Sequence, residues 1–428
     1  MMTRQMKSSG VEWIGDIPEK WCVCKTFRLL SMPITDGPHE TPFFVDEGIP
    51  FISAEAISSG SGLINFSNKR GYISEDYYKE CCKKYTPQVD DIYMIKSGAT
   101  TGRVAYVSKD IDFKFTIWSP LAVFRANKQL SYPKYVYYFL LSDSYQKQIE
   151  TKWSYGTQQN IGMRNIEKLF VCIPPLSEQK EIADYLDAKC AKIDAFITKQ
   201  KTVIEKLKEY KQSVITEAVT KGLNPVVPMK ISGVEWIGDI PEKWQILRLK
   251  NTVEHINEKT ESIAQNYIGL ENIESWTGHY INQSSGIPEG VSNIFRKNDI
   301  LFSKLRPYLA KCLMADFSGI CSSELLVLRN FKGYSRFLFH LLLSHGFINI
   351  VDSSTYGSKM PRANYSFIGN VEIPYPPLSE QKAIADYLDA KCAKIDDFIA
   401  KKQVVIEKLT EYKKSLIYEC VTGKREIV

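Results

Sequence analysis

The sequence predicts an α+β fold assembled twice: two mixed α/β domains separated by two long helices that form an antiparallel coiled coil, with a pseudo-two-fold internal repeat. Three observations carry this expectation. The chain has 428 residues, about three times the roughly 150-residue norm for one domain. SGVEWIGDIPEKW at 9–21 returns unchanged at 232–244. PPLSEQK at 174–180 returns at 376–382 and opens a match in which roughly three quarters of about 47 positions are identical. With 44% apolar and 24% charged residues, the composition is globular and excludes bulk disorder.

In chain order the expected units are a first domain at 1–173, a helical spacer at 174–223, a second domain at 224–375 and a second spacer at 376–428. The interiors have diverged, and the second is about 20 residues shorter. Faint echoes persist: Phe51 to Glu55 beside Tyr267 to Glu271, Asp91-Ile92 with Lys96 beside Asp299-Ile300 with Lys304, and Tyr155-Gly156 beside Tyr356-Gly357. One fold with two different surfaces is implied. Runs rich in aromatic and β-branched residues read as strands at 92–95, 104–107, 300–302 and 325–328. A helix is expected from Pro133 to Lys152 and its counterpart from Tyr334 to Val351.

Each spacer reads as one long helix, with Ser177 as N-cap and Glu178 and Glu181 placing acid in its first turn. Apolar residues recur at Ile182, Leu186, Ile193, Ile197, Ile204, Leu207, Val214 and Ala218, and again at Ile384, Leu388, Ile395, Ile399, Ile406, Leu409 and Leu416. Spacings of three, four or seven put each set on one stripe. Gly222, Pro225 and Pro228 end the first run after about 43 residues, or ~65 Å at 1.5 Å per residue. A helix of that length overhangs a small domain, so burying the two stripes against each other is the economical solution. The plainer alternative packs each helix on its own domain.

Catalytic and metal signatures are missing. The chain has no P-loop, G-x-G-x-x-G, G-x-S-x-G or H-E-x-x-H pattern. The loop from Ser97 to Gly102 looks like a phosphate cradle but lacks the Lys-Ser/Thr that would follow it. Five histidines are scattered, with His340 and His345 in an expected helix, and ten cysteines show no C-x-x-C pair. No metal site and no bound cofactor are therefore expected, and the cysteines read as reduced. The net charge of +6 is too small to identify a polyanion binder. No apolar stretch approaches the ~20 residues of a membrane span, and MMTRQMKSSG has no apolar signal core, so a cytoplasmic location is expected.

The VEWIGDIPEKW segment, the IPPLSEQK and YPPLSEQK turns into long heptad-like helices, and the doubling of both around dissimilar interiors resemble the specificity subunits of type I restriction-modification systems. The resemblance runs over essentially the whole chain. It implies that each interior is a target-recognition domain reading one half of a bipartite site in double-stranded DNA. It implies an antiparallel coiled coil that spaces the domains and docks two copies of a modification (adenine methyltransferase) subunit, joined by a restriction (translocase/nuclease) subunit. S-adenosylmethionine, ATP and Mg would then belong to the partner subunits, and this chain would have no catalytic residues. Near-identical flanks independently suit two copies of one partner, because equivalent surfaces bind equivalent subunits.

Candidate DNA contacts lie in polar loops near the interior echoes, where Arg and Lys suit guanine edges and phosphates and Asn and Gln suit adenine edges. They are Lys96, Arg103, Gln158, Gln159, Asn160 and Arg164 in the first domain, and Lys304, Arg306, Lys359, Arg362 and Asn364 in the second. Each is equally readable as a solvated surface group. Two rival classes are a type IIB/IIG-like restriction enzyme, which needs an acidic metal-binding cluster near a Lys, and a scaffold whose domains bind proteins instead of DNA.

Overall fold

The structure is a computed structural model that describes residues 4–155, 159–261, 266–283 and 290–427. It divides into two compact units, residues 1–199 with 404–428, and residues 200–403. Each unit therefore holds one interior domain, the first half of one long helix and the second half of the other.

The repeated tryptophan segment folds identically in both units. Strand Met6–Ser8 pairs with Asp16–Pro18, and Met229–Ile231 with Asp239–Pro241. In the turns, Val11 N donates to Ser9 Oγ at 3.1 Å and Val234 N to Ser232 Oγ at 3.0 Å. Gly10 and Gly15 have φ of 70° and 72°, and Gly233 and Gly238 of 77° and 71°, a region that favours glycine, which accounts for both glycines returning in the repeat. Trp21 and Trp244 are fully buried, and their indole Nε1 groups donate to Glu178 Oε2 at 3.0 Å and Glu380 Oε2 at 2.7 Å. The next residue of LSEQK is used as strictly. Gln179 Oε1 accepts from Tyr132 N and Gln381 Oε1 from Tyr334 N, each at 2.8 Å. Thus the two repeated motifs are opposite sides of one buried joint.

Within each domain, a four-stranded antiparallel sheet forms the centre. Its order in the first is Thr35–Asp36, Leu121–Phe124, Ile92–Ile95, Val104–Tyr106, and in the second Glu254–Ile256, Leu325–Arg329, Ile300–Ser303, Cys312–Met314. The register matches, with Ile92 opposite Phe124 and Ile300 opposite Leu328. Both faces are covered: Ile92 and Met94 pack into the cluster holding the helices, Tyr93 and Ile95 into a cluster on the other side. That is why these strands are continuously apolar instead of alternating. Asp91 and Asp299 explain one of the echoes. Each is buried, paired with an arginine (Arg125, Arg329) and accepts a backbone N–H (Gln88, Arg296) that closes the turn into the strand. The outer sheet is where the domains part: Ile49–Ile52 pairs with both Gly71–Ile73 and Thr116–Ile117, whereas Tyr267–Ile268 lies at the edge of a four-stranded sheet.

The long helices run Leu176–Lys221 and Leu378–Val421, 46 and 44 residues. Ser177 is not the N-cap: the helix begins one residue earlier, and Pro175 O accepts from Gln179 N at 2.9 Å. The two prolines set that start, since Pro175 needs no hydrogen-bond partner for its nitrogen. The expected stripe is buried or half-buried along its whole length. In the first unit Leu186, Cys190 and Ile193 share a core with Leu416, Ile417 and Cys420; in the second Leu388 and Cys392 share one with Val214, Ile215 and Ala218. Higher numbers on one helix meet lower numbers on the other, so the pairing is antiparallel. Lys413 pairs with Asp194 at 2.6 Å and Lys211 with Asp396 at 2.7 Å, the same two repeat positions used twice with partners exchanged.

The shorter helices correct the sequence reading. The expected helix 133–152 is broken into Pro133–Leu141 and Asp143–Glu150, and 334–351 into Ser335–Leu342 and His345–Ser353. Serine causes both breaks. Ser142 Oγ donates to Phe139 O at 2.6 Å while accepting from Tyr145 N at 3.4 Å, ending one helix and capping the next, and Ser344 does the same. Among the described residues no helix is long and apolar enough to cross a membrane, and no group of three or more His, Cys, Asp or Glu could hold a metal ion.

Candidate nucleic-acid interface

In the first domain the hairpin of Ile92–Ile95 and Val104–Tyr106 projects the loop 96–103. Gly102 has φ 90°, and an added Cβ would meet Gln146 Oε1 at 2.3 Å; that same Gln146 donates to Gly102 O at 2.9 Å. The loop is joined by the segment after the short helices: Ser97 bridges Asn160, Gly98 N donates to Gln159 O at 2.9 Å, and Ile161 N donates to Lys96 O at 2.9 Å. Five of the six candidates thus fall on two touching loops or the short helix that follows, Met163–Glu167, which carries Arg164. Gln158 lies outside the described residues.

Their side chains differ in availability. Arg103, Asn160 and Arg164 are exposed. Lys96 is only 15% exposed, its Nζ 2.8 Å from Asp36 Oδ2, and Lys84 reaches the other oxygen of this buried carboxylate. Burial pushes the Asp36 carboxyl up, but the two ammonium groups outweigh it and hold it below the usual carboxylate value. Lys96 therefore ties the loop to the sheet, its charge already matched.

The second domain builds the same juxtaposition from different bonds. Strands Ile300–Ser303 and Cys312–Met314 flank a loop in which Arg306 and Ala310 take φ of 49° and 46° around the turn Pro307–Leu309. Arg306 N donates to Pro361 O at 2.7 Å and Ala363 N to Lys304 O at 2.8 Å, so residues 356–364 lie against it. Arg362 is held in a two-pronged pair with Glu324, Nε to Oε2 at 3.0 Å and Nη2 to Oε1 at 2.8 Å. Asn364 Oδ1 accepts from Ser366 N at 3.1 Å and caps the helix Tyr365–Ile368. Lys359 is exposed, whereas Arg306 is half-buried with its Nε buried and lacking a partner among the described residues. All five second-domain candidates are gathered in this one region.

Sequence reasoning missed the carboxylates that fasten the loops, Asp36 and Glu324, because each lies about 40 to 60 residues from the basic group it holds and no local pattern connects them. It also missed Tyr308, Tyr356 and Met360, which are 45%, 60% and 56% exposed beside Arg306 and Lys359. Exposed apolar side chains next to basic ones are what a base edge or thymine methyl group would meet.

The geometry can be set against known proteins. A family model, Type I restriction modification DNA specificity domain, matches residues 40–206 and again 241–408, between them most of the chain. The specificity subunit of the type I restriction enzyme MjaVIII from Methanocaldococcus jannaschii is 25% identical over 434 residues, covering 95% of this chain and 93% of that protein. The EcoDI specificity subunit from Escherichia coli is 26% identical over 282 residues, 61% of this chain and 63% of that one, so this match spans under two thirds of the relative. A chain from the solved work "Structural basis underlying complex assembly and conformational transition of the type I R-M system" superposes with a TM-score of 0.69 at 16% identity, covering 96% of this chain and 99% of its own. At that identity the likeness is one of fold.

Proposed function

The chain belongs to the type I restriction modification DNA specificity family, and from that premise we propose that its two domains read the unlike halves of one split site in double-stranded DNA. The observation that supports this most is the convergence, in both domains, of a hairpin loop and a returning polar segment on one surface, although the residues forming it differ. Arg103, Asn160 and Arg164 in the first domain, and Arg306 and Lys359 in the second, are the groups offered to base edges and phosphates. Lys96, Arg362 and Asn364 position those loops. Gln159 and Lys304 take part through their backbone carbonyls as well.

The near-identical helices then serve two roles. They present equivalent surfaces to two copies of a methylating subunit, and their length sets the spacing of the half-sites, near one helical turn of DNA centre to centre. Methyl transfer, ATP-driven translocation and cleavage belong in this reading to the partner subunits, the chain supplying the address.

Replacing Arg164 by Ala tests the reading in the complex reconstituted with its methylating subunit. Modification should lose stringency at one half-site by about 1–3 kcal/mol per lost base contact, with the other half-site untouched. Unchanged modification would remove Arg164 from the interface. Inserting one heptad into both helices should alter the spacer and leave both half-sites as they are; altered half-site sequences would contradict the spacing role.

A further inference from the structure

The second unit contains an open cleft of 1590 Å³ between its paired helix segments and its domain. Its walls include Trp236, Trp276 and His345, with the rings of Trp276 and His345 stacked 5.9 Å apart. Three polar atoms on these walls, Trp236 Nε1, Gln212 Oε1 and Thr216 Oγ1, are buried with no hydrogen-bond partner among the described residues. Buried polar groups are satisfied in the great majority of cases, so one donor and two acceptors left open in one cleft mark a place for a ligand. Trp276 adds a second oddity. It takes φ 67°, a conformation that a bulky residue adopts only under constraint.

In the first unit one corner of the equivalent place is filled. Thr216 corresponds to Tyr418 and Gln212 to Lys414 in the repeat. In the first unit Tyr418 OH donates to Ile14 O at 3.4 Å, and Lys424 Nζ lies 4.6 Å over the Tyr418 ring and donates to the same carbonyl at 2.6 Å. Ile14 and Ile237 are the same residue of the repeated segment, and Ile237 lines the open cleft. A tyrosine therefore fills in one unit the corner that a threonine leaves empty in the other. Both positions are among the roughly one quarter that differ between the two helices.

Charge selects the occupant. The lining carries five carboxylates, Glu274 and Asp396 among them, against three ammonium groups. Such a rim repels a phosphate backbone and attracts a cation, and the indole faces of Trp236 and Trp276 suit a guanidinium. We propose that this cleft docks an arginine-bearing segment of a partner protein, once per chain. The guanidinium donates to Gln212 Oε1 and Thr216 Oγ1, and a backbone carbonyl of the incoming segment accepts from Trp236 Nε1. The site is distinct from the loops offered to DNA and does not depend on how DNA is read.

The test is calorimetric titration of the full-length chain with a nona-arginine peptide at 0.15 M salt, with nona-lysine titrated in parallel. One saturable site is expected, weakened about tenfold or more in Thr216→Tyr, which installs the first unit's own residue at no change in charge. Trp276→Ala and Glu274→Gln should each weaken it severalfold, so the proposal remains testable if one variant misfolds. Equal binding by all variants, absence of a saturable site, nona-lysine binding as tightly as nona-arginine, or self-association of the chain that Thr216→Tyr abolishes would each overturn it.

Discussion

In the first domain the loop after strand Ile92–Ile95 is tied down by Lys96 on the buried carboxylate of Asp36, while in the second the corresponding loop leans on residues 361–363, themselves tied by Arg362 to Glu324. The joint beneath them, Trp21 on Glu178 and Trp244 on Glu380, is the same to within a few tenths of an ångström. The contrast separates two layers. The Trp–Glu and Gln–backbone bonds that join each domain to its helix are the same in both units, since losing either partner of a buried bond leaves the other unsatisfied, although a neighbouring contact changes from Tyr138 on Asp187 to His340 on Asp389. Groups that hold the loops vary together with the loops, so a new surface brings its own fastening.

The largest effects should come from the invariant layer. Trp21→Ala should destabilise the first unit by about 3–5 kcal/mol, and Trp244→Ala the second by as much, since each empties a fully buried site. Hydrogen exchange read unit by unit would check this: protection should fall in the unit that carries the change. Equal loss in both would mean that the two units unfold as one.

Next come the exchanged ion pairs. Lys211 is 7% exposed and Lys413 24%, although both occupy the same repeat position. Removing Asp396 strands a nearly buried ammonium, so Asp396→Ala should cost about 2–3 kcal/mol, and Asp194→Ala less than half of that. Chemical denaturation of the two variants would show the order, and a reversed order would contradict the assignment of the second pair as the drier one.

Acid should separate the units further. Burial lowers the proton affinity of His340, with only partial compensation from Asp389, and burial with the Lys304 charge lowers that of His255. A histidine whose folded pKa lies below its unfolded value contributes stability that is complete above that unfolded value, ~6.5, and is lost as pH falls below it. The second unit, which holds both, should lose stability as pH falls below about 6.5, and the first unit less. His340→Tyr places there the residue found at the corresponding Tyr138, whose hydroxyl donates to Asp187. It should flatten the second unit's pH profile; an unchanged profile would assign the acid sensitivity elsewhere.

The smallest structural effect is expected at the exposed reading groups. Arg103→Ala should leave stability within about 0.5 kcal/mol while reducing the salt dependence of DNA binding by about one phosphate contact. A parallel loss of stability would make Arg103 a fastening group like Lys96.

How far the sequence went follows from the range of each interaction. Periodicity is local, and it located the long helices, the stripe and two of the four central strands in each domain, missing Leu121–Phe124, Cys312–Met314 and the short edge strands Thr35–Asp36 and Glu254–Ile256. The helix ends depended on single atoms: Pro175 displaced the start expected at Ser177, and the hydroxyls of Ser142 and Ser344 cut helices that apolar spacing alone made continuous. The convergence of loops 96–103 and 159–164 was foreshadowed by the echoes around Lys96 and Tyr155, but nothing local pairs Lys96 with Asp36 or Arg362 with Glu324. The open cleft beside Thr216 was equally illegible, since it is lined by residues far apart in the sequence, Thr216, Trp236, Trp276 and His345 among them.

The central claim is that this chain supplies the address for modification through two separately reading domains. A genome-wide map of methylated adenines in host DNA, with and without the gene, tests it most directly. The account predicts a split, asymmetric motif that disappears when the gene is removed and, with Arg164→Ala, loses definition in one half alone. A map unchanged by removing the gene in cells whose methylating subunit is active would contradict it.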